Sequence, residues 1–306
     1  MQKSSIDISP IVRFIFFGNY FYGLCAVGLS LETSIQLGYP LNGLFFYLLI
    51  FIGTVIYYTK AYLPESSSST SNMRTRWYNT NHDKLVWGQR IAVCMFLLVL
   101  YFLLHKDISL FFSQPISTWL LILVFPTTAL FYYGLNTRTT SLSIRSIGWL
   151  KPFCIGFIWA GVVTIYPILY KQVLLHKAFN FTPILLFLFI KNFMFISVLC
   201  IMFDIKDYAM DYNAQLKTFV VKFGLRKTIF FIIIPLSLIG FGTFLTFGYV
   251  NHFPMQRLFF NGIPFLLLIA VAYSLHHRKS VLYYLIIIDG LMLVKALCGS
   301  LEMIQK

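Results

Sequence analysis

The sequence predicts an all-α integral membrane protein, a single multi-pass domain over residues 1–306 built as a bundle of nine transmembrane helices. Three observations carry that prediction. Hydrophobic residues make up 58% of the chain and charged residues 11%, where soluble domains carry about 25% charged residues, and the mean hydropathy is +0.78. The apolar residues fall in runs of ~20, the length that crosses a bilayer as a helix. Lys and Arg are divided unequally between the two sets of connecting loops. Helices are expected because a lipid-embedded backbone must satisfy its own hydrogen bonds, and these runs are too long and too uniformly apolar for barrel strands.

The nine expected spans are 11–30, 42–62, 87–105, 117–135, 151–170, 182–203, 228–249, 258–276 and 281–300. The first lacks a small-residue cleavage site after it and reads as a retained span. The last two are separated only by His277-Arg278-Lys279-Ser280, a tight hairpin. With the N-terminus placed inside, seventeen Lys and Arg fall on the inner side and five on the outer side, with Lys191 and Lys295 inside spans. That bias fits an inside N-terminus, cytoplasmic loops after spans 2, 4, 6 and 8, and residence in the cell inner (plasma) membrane. The net charge of +14 is spread between apolar runs, with no basic stripe, so no nucleic-acid partner is expected. The five cysteines lie within apolar stretches without CxxC spacing and read as small buried hydrophobes.

The inner loops differ from one another. Residues 64–86 open with a polar, low-complexity Pro-Glu-Ser-Ser-Ser-Ser-Thr-Ser-Asn run and are expected to be mobile. Residues 136–150 are rich in Thr and Ser and carry Arg138 and Arg145. Residues 204–227 hold the densest acid in the chain: of ten acidic residues in all, Asp204, Asp207 and Asp211 fall within eight positions. At ~100° per residue their spacing puts all three within roughly 60° on one helix face. Carboxylates so placed repel unless a cation sits between them. The stretch is thus either a metal site or a solvated helix end just outside the membrane. Mg²⁺ takes oxygen ligands, usually one or two carboxylates plus substrate phosphates. Lys217, Arg138, Arg145, Lys151, Arg74 and Arg76 are candidate phosphate donors, although the positive-inside bias alone also places cations there.

The pattern Asp204-Ile-Lys-Asp207-x₃-Asp211-x₅-Lys217-Thr218, at the end of span 6 of nine, resembles the second aspartate-rich motif of the UbiA-type prenyltransferase superfamily. Phe223-Gly224 stands where that motif has Leu-Gly, and Tyr132-Tyr133 with Arg138 is similar to the family's element at the end of span 4. The resemblance implies a UbiA-like bundle that binds Mg²⁺ and an isoprenyl diphosphate and transfers the isoprenyl group to an aromatic or lipid-soluble acceptor within the bilayer. It implies Asp204, Asp207 and Asp211 as metal ligands, and Lys217, Arg138, Arg145 and Lys60 as partners of the substrate diphosphate. The sequence departs from the family at the end of span 2. The first motif's carboxylates are missing from Thr54 to Leu63, and Lys60 lies where a metal ligand would stand. Gln215 replaces a Gly, and Val220 a Pro, in the third loop. These departures imply one ion rather than two, or alternatively a catalytically inactive UbiA-like protein that binds an isoprenoid or lipid.

Lys191, Asp289 and Lys295 lie within spans, where an ionisable group is costly unless paired or hydrated. Lys191, Asn192 and Asp289 are candidate polar lining of a substrate cavity, and a Lys191–Asp289 pair that fixes helix packing is the competing reading. A transporter built on inverted repeats ranks last, because the two halves show no matching Gly/Pro-broken segments.

Overall fold

The computed structural model describes residues 9–63, 73–133 and 144–304. Among them every regular element is helical. Eight helices are long and apolar enough to cross a membrane, or nine when α1 (Pro10–Phe17) and α2 (Tyr20–Gln36), bent by 60° at their junction, are counted as one span. The remaining elements are α3 (Leu44–Tyr62), α4 (Met73–Thr80), α5 (His82–Leu104), α6 (Ile108–Phe112), α7 (Ile116–Tyr133), α8 (Lys151–Leu174), α9 (Pro183–Asn213), α10 (Phe219–Phe223), α11 (Leu225–Val250), α12 (Met255–Ser274) and α13 (Val281–Leu301). The chain divides into two compact units, residues 1–27 with 43–106, and residues 28–42 with 107–306. The boundary between them falls inside α2.

The first unit centres on the bend between α1 and α2. Asn19 adopts φ +65, a left-handed conformation that Asn tolerates better than most residues. Its side chain is fully buried, donating to Thr59 Oγ1 (3.1 Å) and Tyr78 OH (2.9 Å) and accepting from Arg74. Arg74 is 3% exposed and stacks 3.7 Å from the Tyr62 ring centroid. The stretch expected to be a mobile loop therefore contains a helix, α4, tied down by Arg74 and Tyr78. Arg74, a candidate phosphate donor from sequence, serves here as a packing residue. Burial pushes the Tyr78 phenol above its ordinary pKa.

In the second unit α8 packs along α9, α7 against α8, α11 against α12 and α12 against α13. The helix starts follow their capping residues. Thr182 accepts a hydrogen bond from Leu185 N (3.2 Å) with Pro183 at the first helical position, so α9 begins where the sequence indicates. Three spans carry a π-helical turn: Gly161–Ile165 in α8, Ile229–Ile233 in α11 and Tyr284–Ile288 in α13. The first two stand just ahead of Pro167 and Pro235. Proline removes an N–H and crowds the carbonyl four residues back, and the widened turn relieves both effects.

The observed α9 is longer than expected. At 1.5 Å per residue its 31 residues reach about 46 Å, well past a hydrocarbon core of about 30 Å. Residues 204–213 continue the helix beyond the apolar run, so the three aspartates are helical and share one rigid element. The first span also runs further, to Gln36 instead of Ser30, which brings Glu32 into a helix.

Candidate functional site

The site lies in the second unit, where α8 starts and α9 ends. The two helices are antiparallel, and their close approach follows from small residues. A Cβ on Gly156 would lie 2.9 Å from Phe193 O and closer still to Ser197 Oγ. One side of this crossing, Asn192 Nδ2 donates to Thr164 Oγ1 at 2.8 Å. On the other, Lys151 Nζ donates to Asp204 Oδ1 at 3.0 Å. The three contacts follow one antiparallel register, so the packing that admits Gly156 also delivers the Lys151 ammonium to Asp204.

Asp204 is 0% exposed and Asp211 9%, and each keeps one buried oxygen, Oδ2, without a hydrogen-bond partner. Buried carboxylate oxygens are costly unless satisfied, so two open acceptors on one helix face call for a cation or a donor. Asp207 turns further toward solvent and pairs with Lys206 at 3.4 Å. Among the described residues no group of three or more His, Cys, Asp and Glu side chains is arranged to hold a metal ion. The acids suit the smaller sort of Mg²⁺ site, in which one carboxylate oxygen meets the ion and water and substrate phosphate fill the remaining positions, since Asp204 and Asp211 stand seven residues, about 10 Å, apart along α9.

Around this pair the chain makes a tight turn. α9 ends in a paired-hydrogen-bond cap in which Leu216 N donates to Asp211 O (2.8 Å) and Gln215 N to Tyr212 O (3.1 Å), with Gln215 at φ +55. Glycine is the usual residue in this conformation, which gives a physical reason for the Gly that the family pattern carries there. The turn leads to exposed Lys217 and to Thr218, whose Oγ1 caps α10 by accepting from Val221 N. Gly148, from the segment before α8, packs on this turn so closely that a Cβ would lie 2.6 Å from Lys217 C and Thr218 N. Arg145 is exposed and within electrostatic range of Asp211 and of the buried Tyr132. Asp204, Asp211, Lys151, Arg145 and the Lys217 turn thus converge. Arg138 and Asn136 lie outside the described residues. Lys60 sits exposed in the last turn of α3, in the first unit.

The three candidate lining residues are all buried. Asn192 is held by Thr164, and Asp289 follows the π turn of α13, its N–H donating to Tyr284 O (3.1 Å). Lys191 belongs to a second polar centre toward the other end of α9, and its ion-pair partner is Glu32 (3.5 Å), not Asp289. Lys295 donates to both oxygens of Glu32 (2.8 and 3.0 Å), Lys191 donates to Asn261 Oδ1 (3.0 Å), and Gln36 Nε2 bridges Glu32 Oε1 and Asn261 Oδ1 (3.0 and 2.8 Å). Sequence reading missed Glu32 and Lys151's pairing. An acid two residues past an apolar run was the available signal for the first, and none existed for the second.

The bundle and its charged end define a polytopic helical membrane protein with a UbiA-type fold. It superposes on a solved structure of digeranylgeranylglyceryl phosphate synthase, a UbiA-superfamily prenyltransferase, with a TM-score of 0.58 over 98% of this chain and 100% of that one. The two sequences are 12% identical, so what they share is the fold. No family model and no curated protein sequence matches this chain.

Proposed function

We propose that this chain is a membrane-embedded prenyltransferase. It would take an isoprenyl diphosphate donor and pass the isoprenyl group to an aromatic or lipid-soluble acceptor, with its charged loops on the cytoplasmic side of the plasma membrane. The observation that carries the reading is the pair of buried, open carboxylate oxygens on Asp204 and Asp211, set at the end of the span where the resembling family holds its metal and diphosphate. The fold shared with a prenyltransferase supports it. Bound there, Mg²⁺ would neutralise charge building on the diphosphate leaving group. Asp204 would hold the ion, with Asp211 reaching it through water or substrate phosphate and Asp207 joining on release from Lys206. Lys217 and Arg145 would donate to the phosphate oxygens as charge-assisted hydrogen bonds. The apolar helices around them would keep water from the carbocation-like group until the acceptor captures it.

A second reading has its own observation. No carboxylate occurs from Thr54 to Leu63, and Asp204 is already paired with Lys151, which suits a protein that binds an isoprenoid or lipid without turning it over. One experiment separates the two. Purified protein in nanodiscs is given Mg²⁺, radiolabelled prenyl diphosphates of several lengths and a lipid-extract acceptor pool, beside Asp204→Asn and Asp211→Asn. Transfer by the parent chain that falls by about a hundredfold or more in both variants supports the enzyme, as removal of a charge-stabilising ligand commonly costs that much. Diphosphate binding without transfer supports the second reading. Binding that ignores both aspartates refutes the metal site.

A further inference from the structure

Lys151 lies outside the aspartate motif, at the start of α8, and its partner is not readable from spacing. Its ammonium contacts Asp204, which has no exposure, while its own side chain is 20% exposed. It also lies within electrostatic range of Asp207 and Asp211, so one cation faces all three carboxylates. The contact uses Oδ1 of Asp204 and leaves its Oδ2 open, as Asp211 leaves its own further along the same helix face. A lysine ammonium is a compact point charge on a four-carbon stem with three rotatable donors. Its Cα is fixed by the Gly156 crossing five residues on, but its head reaches the partly solvated edge of the site.

We propose that Lys151 is the resident counter-cation of this site: it holds Asp204 while no substrate is bound, competes there with a divalent ion, and turns its ammonium onto the diphosphate once the ion has docked. The inference rests on the proposed function and deepens it. With no carboxylate from Thr54 to Leu63, the three aspartates of α9 are the acids available to the motif, and an internal ammonium supplies positive charge that a second ion would otherwise bring. Asp204 then has two partners in sequence. The ammonium keeps the buried carboxylate from standing uncompensated in the empty site. Asp204 would offer its open oxygen to an incoming ion, and the Lys151 ammonium, repelled by that like charge, would be released to phosphate oxygens. Lys151 is thus a binding residue for the diphosphate and a positioning residue for the ion.

These two roles predict changes of opposite sign, which a purely structural ion pair does not. The probes are Mn²⁺, followed by electron paramagnetic resonance and calorimetry, and inorganic pyrophosphate added at saturating Mn²⁺, on the purified full chain in nanodiscs. Lys151→Met keeps the stem and removes the charge. It is expected to bind Mn²⁺ alone about threefold to tenfold more tightly, because a like charge beside the ion is gone, and to bind pyrophosphate about tenfold more weakly, because a charge-assisted donor is lost. Lys151→Arg should stay within about threefold of the parent on both measures, since it retains the charge and reach. Parallel weakening of both ligands in Lys151→Met, or no change in either, overturns the proposal while leaving the aspartate site standing. A parent chain that binds neither Mn²⁺ nor pyrophosphate overturns both the site and this role for Lys151.

Discussion

Glu32 offers the sharpest test of how the bundle is held together. It is 2% exposed and faces two lysines, Lys295 at 2.8 Å and Lys191 at 3.5 Å, which are 3% and 6% exposed. Glu32→Gln keeps the shape and one acceptor oxygen but removes the only carboxylate in contact with either ammonium among the described residues. Breaking a buried pair by deleting one partner costs about 3–5 kcal/mol, since the surviving charge is left uncompensated. An isolated lysine at mid-membrane depth carries a similar penalty, about 2.5–3.5 kcal/mol. A loss of about 4 kcal/mol is expected, which lowers the folded-to-unfolded ratio by about a thousandfold at 1.4 kcal/mol per decade. Glu32→Leu combined with Lys295→Met and Lys191→Met should recover at least half of that loss, because it removes all three charges instead of orphaning two of them. The assay is the unfolding midpoint in a denaturing-detergent titration, with protease susceptibility of the reconstituted protein as a second probe. A Glu32→Gln loss below about 1 kcal/mol, the range of an exposed pair, refutes the reasoning. So does a triple variant that recovers none of it.

Other perturbations probe the site's framework. Gly156→Ala sets a Cβ against Phe193 O and Ser197, and overpacking of this kind should lower stability by about 1–3 kcal/mol, with partial recovery on adding Ser197→Ala; a thermal melt showing no loss would place the α8–α9 approach elsewhere. Gly148→Ala meets backbone at Lys217 and Thr218, which cannot yield as a side chain can, so the Lys217 turn should shift. Pyrophosphate binding should weaken about tenfold with the fold retained, and unchanged binding would remove Lys217 from the diphosphate partners. Gln215→Gly relieves a left-handed backbone that costs a non-glycine residue about 1–2 kcal/mol, so the melting temperature should rise; an equal or lower value would mean that the Gln215 side chain holds the turn itself.

Much of the fold was legible because the bilayer allows so few structures. Once ~20-residue apolar runs were found, helices followed from backbone hydrogen bonding alone. The misplacements share one cause. Residues 31–36 and 204–213 carry Glu, Thr, Ser, Gln and Asp, which read as loop or helix end by hydropathy. In the structure they continue helices, because partners remote in sequence satisfy them: Lys295 and Asn261 for Glu32 and Gln36, Lys151 for Asp204. Met73 to Thr80 was hidden in the same way. Its anchoring depends on Asn19 and Tyr62 and not on any apolar periodicity of its own. Hydropathy reports what a residue would do in water or lipid, and it is silent on a polar residue that finds its complement across the bundle.

The aspartate motif was visible because its members share a helix and spacing suffices to place them on one face. Lys151 was not, since its distance from Asp204 depends on the antiparallel register of α8 and α9, which Gly156 and the Thr164–Asn192 bond set. That pairing changes the charge argument. Three carboxylates considered by themselves ask for more than one ion. Lys151 sits on Asp204 and Lys206 on Asp207, so two of the three carboxylates already face an ammonium and the cluster asks for less positive charge than three bare acids. On the reading proposed above, the cluster takes one divalent ion and not two, so a Mn²⁺ titration of the parent chain should saturate at one equivalent; a second equivalent would show that the ammonium groups do not set the ion count.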